Sequence, residues 1–64
     1  MARYQIEVSN NGVIEEIHQF DEGSNYIDTF KTLIKCGFPN DVFVLYRIEG
    51  DAKAVEETVN YNDL

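Results

Sequence analysis

The chain has no tryptophan, one cysteine, one proline, one histidine and only five basic residues among its 64. With Cys36 alone there can be no internal disulfide, so the bridges by which small secreted domains offset a thin core are not available. One cysteine and one histidine cannot build a structural zinc site. The longest apolar run, Val42 to Tyr46, is too short to span a bilayer. Met1-Ala2-Arg3-Tyr4-Gln5 leads directly into alternating sequence, with no apolar stretch of the kind a secretory signal carries. The four glycines stand apart at positions 12, 23, 37 and 50, so no glycine-rich loop exists to cradle a phosphate. These absences predict a soluble, cytosolic protein without metal or cofactor.

Against five basic residues stand twelve acidic ones, for a net charge of −7. Nucleic-acid backbones and anionic lipid would repel such a chain, and a basic protein surface would attract it. Apolar residues make up 44% of the sequence, with four Tyr and four Phe, enough to expect a folded chain rather than a disordered one. The length fits one small acidic domain over residues 1–64. A domain of this size buries only about 60% of the surface its unfolded chain exposes.

Tyr4, Ile6 and Val8 alternate with Arg3, Gln5 and Glu7, the period of a half-buried strand. Asn10-Asn11-Gly12 then predicts a tight hairpin, because Asn and Gly accept positive φ. The return strand spans Val13 to Phe20, with a bulge near Glu15-Glu16 bringing Ile14 and Ile17 to one face. Tyr26, Ile27, Phe30, Leu33 and Ile34 form one helical stripe, with Ser24 or Asn25 as N-cap and Asp28 in the first turn. Gly37 is expected as the left-handed residue ending the helix, with Phe38 packing back on Leu33 and Pro39 blocking continuation. Val42 to Ile48 is the most apolar strand. A four-residue turn, Gly50 to Lys53, leads to a final strand in which Val55, Glu57, Val59 and Tyr61 alternate with Ala54, Glu56, Thr58 and Asn60, an order that puts Glu57 awkwardly on one face with Val55 and Val59. In that register Arg47 lies opposite Glu56 and Ile48 opposite Val55. Residues 52–61 could instead be helical, capped by Asp51. The predicted fold is α+β: ββαββ, hairpin–helix–hairpin, a four-stranded sheet with one helix on one face.

This order of elements, and the final hairpin with its Asp51-Ala52-Lys53 turn between Tyr46 and Tyr61, resembles the immunoglobulin-binding domains of proteins G and L, which are β-grasp folds of similar length. The resemblance implies that the first and last strands lie parallel at the sheet centre. It includes no matching binding motif, so antibody binding does not follow from it.

Catalysis has little to work with. Cys36 and His18 are the only nucleophile–base candidates, and Cys36 lies in the last helical turn, where the dipole disfavours a thiolate. The pairs Glu15-Glu16 and Glu56-Glu57 sit on strands, whose adjacent residues point to opposite faces, so neither pair is expected to converge. Asp21, Glu22, Asp28 and Asp51 lack the spacing of a calcium loop.

An interaction role is the stronger expectation. Tyr4, Ile6, Val8, Val42, Val44, Tyr46 and Ile48 are assigned to the helix side, which sends Phe43 and Leu45 to the unroofed face of the sheet. Glu7, Glu49 and Glu56 share that parity and rim the apolar pair, with Arg47 beside them. Glu7, Phe43, Leu45, Arg47, Glu49 and Glu56 are therefore the candidate partner-binding residues. The expected function is a non-enzymatic protein-binding module that engages a basic surface of a protein partner. In size and charge it is like the small acidic inhibitors of phage and mobile elements, some of which imitate nucleic-acid charge. The alternative is homo-oligomerisation through the open face.

Overall fold

A computed structural model describes residues 2–64. Strand β1 (Ala2–Asn10) turns into β2 (Val13–Phe20), helix α1 (Tyr26–Lys35) follows, and a second hairpin, β3 (Asp41–Glu49) and β4 (Ala52–Asn60), precedes a short 3-10 turn over Tyr61–Asp63. The hairpin–helix–hairpin order is as the sequence predicts, and residues 52–60 form a strand, not a helix.

Asn11 and Gly12 both adopt positive φ, +51° and +83°, as the first hairpin requires. Val8 pairs with Glu16 and Ser9 with Ile14, which leaves Glu15 as the extra residue of a bulge. Ile14 and Ile17 thereby share a face, as expected.

The strand order is β2-β1-β3-β4, and every neighbouring pair is antiparallel. The parallel central pairing implied by the likeness to proteins G and L is absent: β1 pairs with β3, and β4 lies at the edge. Connection length permits this. The five residues between Lys35 and Asp41 return the chain beside β1 from the opposite direction.

Ile6 faces Leu45 and Val8 faces Phe43 across the central pair, and these four with Phe30 of α1 form the buried core. Phe43 is 1% exposed and Leu45 is 6% exposed. Their assignment to the unroofed face is thus overturned. The helix side of β3 is Asp41, Phe43, Leu45, Arg47 and Glu49, and the open side is Val42, Val44, Tyr46 and Ile48. Both parities of β3 are apolar, so alternation could not decide between them. The larger Phe and Leu fill the space beneath the helix better than two valines can.

The ends of the helix also depart from expectation. Asn25 is the N-cap residue, but its side-chain amide donates to Asp28 Oδ2 at 2.7 Å and makes no cap bond. Gly37 is not left-handed; the positive φ in this loop belongs to Asn40, at +73°. Gly37 is small for a steric reason, since a Cβ there would lie 2.6 Å from Phe43 Cζ. Phe38, expected to pack back on Leu33, is 71% exposed.

Candidate functional site: an acid-rimmed groove between α1 and β4

Helix α1 packs over the centre of the sheet and leaves the inner side of β4 uncovered. The result is a groove of about 290 Å³. Leu45 and Phe30 form its floor, and Ile27 and Ile34 its helical wall. One end is closed by Tyr4 and Tyr26, whose rings stack with centroids 3.7 Å apart and planes 13° from parallel. Tyr26 is the first residue of α1 and Tyr4 belongs to β1, so this contact holds the start of the helix to the sheet. The adjacent Tyr4 phenol, and then burial, hold the Tyr26 hydroxyl above its usual pKa; Glu56 adds to the shift and Arg47 opposes it.

The rim carries Lys31 from the helix and both Glu56 and Glu57 from β4. Adjacent strand residues normally diverge, and the expectation that this pair would do so is wrong. Leu45 pairs with Glu57 and Tyr46 with Val55, so Glu56 is the extra residue of a second bulge. That extra residue turns Glu56 to the same side as Glu57. It also moves Arg47 opposite Ala54 and Ile48 opposite Lys53, replacing the predicted Arg47–Glu56 and Ile48–Val55 pairs. The turn is shorter than expected, Gly50-Asp51 alone. Glu15 and Glu16 converge through the first bulge in the same way, beside Val8, Asn10 and Phe38.

Of the six predicted partner-binding residues, five lie on the helix side of the sheet. Glu56 and Leu45 line the groove. Arg47, Glu49 and Glu56 line a shallow depression of about 250 Å³ next to it, where Arg47 and Glu49 form an ion pair. Phe43 is beneath, in the core. Glu7 is on the other face, paired with Val44 and Ile17, so it does not join the rest. The predicted ring of acids around an apolar centre on the open face is therefore corrected: Glu49 and Glu56 belong to the helix side. Sequence reasoning missed Glu57, Tyr4, Tyr26 and Ile27 as groove residues. The clue was the awkward placing of Glu57 among Val55 and Val59, which a bulge at Glu56 resolves.

His18 Nε2 lies 3.1 Å from Glu16 Oε1, and Cys36 is exposed at the end of the helix. Among the described residues no cluster of His, Cys, Asp or Glu is arranged to hold a metal. None of the described helices is long and apolar enough to cross a membrane. Comparison with known protein families, characterised proteins and solved structures found no match.

Proposed function

We propose that this protein is a non-enzymatic binding module whose α1–β4 groove takes a basic, partly apolar segment of a protein partner. The observation that carries this reading is the convergence of Glu56 and Glu57 at the rim of an apolar floor. A lysine or arginine stem could lie along Leu45 and Ile27 while its charged head meets the carboxylates. The stacked tyrosines offer an aromatic surface at the groove end, where a guanidinium would find a further favourable contact. The charge of the whole chain favours encounter with such a partner. An inhibitor that occupies the basic site of a target is one form this module can take.

The test is affinity capture from the native host with the wild type and with a Glu56→Lys/Glu57→Lys double variant, each first checked for folding by circular dichroism. The wild type should retain a basic protein that elutes as ionic strength rises. The double variant should lose it, and Glu7→Lys should keep it. A partner held equally by the double variant would refute the groove as its site.

A further inference from the structure

The sheet has a second surface that the groove does not use. On the side away from α1, Val42, Val44, Tyr46 and Ile48 run in one unbroken apolar row along β3. Ile14 and Ile17 on β2 and Val55 on β4 flank this row and are 53%, 54% and 59% exposed. Charge is almost missing here. The cross-strand register gives the face Arg3, Lys53 and Glu7, while the remaining acids of a −7 chain lie on the helix side, in turns or at the ends. Lys53 Nζ stands 4.1 Å from the Tyr46 ring centroid, which occupies one of the two cations.

The sheet edges are poor candidates for assembly. Both β2 and β4 carry a bulge, at Glu15 and Glu56, each beside a second glutamate. Bulges and charges of this kind keep edge strands from pairing with other chains. Association is thereby directed to the face.

We infer that the open face is a homodimer interface, with a second copy of this chain packed sheet on sheet across a two-fold axis perpendicular to the strands. The register determines what meets. Four rows cross the face, led on β1 and β3 by Arg3–Ile48, Gln5–Tyr46, Glu7–Val44 and Ser9–Val42. The two-fold axis reverses their order while laying β3 on β3. Tyr46 then covers Val44 of the second copy, and Ile48 covers its Val42. On β1, Arg3 comes within one row of the other copy's Glu7, twice over by symmetry. With strands about 4.8 Å apart and rows about 7 Å apart, four strands and four rows offer roughly 500 Å² per copy. Two such faces reach the roughly 1,000 Å² at which a specific interface begins. A near-neutral, self-complementary face allows two strongly acidic chains to meet while their acids point outward. A basic partner would find only one carboxylate here, so the face suits a second copy better.

The experiment is sedimentation equilibrium of the full chain up to about 1 mM, with the wild type, Val44→Glu, Arg3→Glu, Glu7→Arg and the Arg3→Glu/Glu7→Arg double variant. The wild type should reach twice the 7.4 kDa mass of the chain. Val44→Glu should remain monomeric with an unchanged circular dichroism spectrum. Each single charge reversal should weaken dimerisation by about tenfold, and the double variant should recover it. Arg3 is exposed, so Arg3→Glu keeps the fold even if Val44→Glu does not. A monomer at the highest concentration overturns the inference. So does a dimer indifferent to Val44→Glu, or one in which the double reversal fails to rescue. Because none of these variants touches Glu56 or Glu57, the outcome is separate from that of the groove.

Discussion

The amide of Asn10 donates to Asp41 Oδ1 at 2.8 Å, joining the end of β1 to the start of β3. The same amide reaches the Pro39 carbonyl at 3.1 Å, and Asp41 Oδ2 accepts from the Phe38 N–H at 2.9 Å. A largely buried carboxylate thus pins the α1–β3 loop against the sheet, just where Phe43 enters the core.

The Asn10 donor first, and the Phe38 N–H second, hold the Asp41 carboxyl below its usual range, outweighing the opposing effect of burial. An aspartate whose folded pKa is depressed stabilises the fold above its unfolded pKa, about 3.9. That contribution is lost as pH falls through the lower folded value. Asn10→Ala removes the principal donor. The difference in Tm between wild type and Asn10→Ala should be constant above about pH 5 and shrink below about pH 4. Thermal melts from pH 2 to 7 measure it, and a difference independent of pH would separate Asn10 from the charge of Asp41.

Gly37 yields a second prediction. A methyl group there meets Phe43 Cζ at 2.6 Å, Tyr61 Cδ2 at 3.2 Å and the Ile34 carbonyl at 3.2 Å. Phe43 is 1% exposed within the core, so Gly37→Ala should cost about 1–3 kcal/mol as an overpacked site. The companion change Phe43→Leu should recover part of the loss by shortening the side chain that blocks the methyl. A urea-unfolding double-mutant cycle gives the coupling, and strictly additive effects would show that the contact is not the cause.

Phe43 itself should be among the most costly positions to change. It is the larger of the two side chains that are essentially fully buried. Phe43→Ala should destabilise by about 3–5 kcal/mol. In a chain this small, with total stability on the order of 5 kcal/mol, that approaches complete unfolding. Phe43→Asp should not fold at all, as amide exchange would report. A folded Phe43→Asp would contradict the packing of β3 described above.

Much of this architecture was legible before any coordinates. The Asn11-Gly12 hairpin, the stripe from Tyr26 to Ile34 and the bulge that aligns Ile14 with Ile17 each rest on local chemistry, and each is present. Local chemistry did not determine which face of β3 turns inward. Phe43 and Leu45 compete with four apolar neighbours of the other parity, and the outcome depends on the volume available under Phe30. The pairing partner of β1 was equally hidden, because the order of elements is compatible with either central neighbour. The site suffered most. A second bulge that no turn residue announces brings Glu56 beside Glu57, while the inward turn of the Phe43–Leu45 parity of β3 carries Glu49 to the helix side of the sheet. The general idea that one helix covers only one face survived; the residues on each face did not.

The second bulge can be tested directly. Glu56 is the unpaired residue between the Leu45–Glu57 and Tyr46–Val55 pairs. Deleting it should close the bulge and leave both pairs intact, so cross-strand NOEs between Tyr46 and Val55 and between Leu45 and Glu57 should persist. The edge of β4 would then be regular, with one charge fewer, and the variant should aggregate more readily in a light-scattering series. Its groove would retain one rim carboxylate from β4, so affinity for a basic partner should fall without being abolished. A slip of the whole strand, bringing Val55 opposite Leu45, would appear as a different NOE pattern. It would mean that Glu56 holds the register of the hairpin and is not simply an insertion within it.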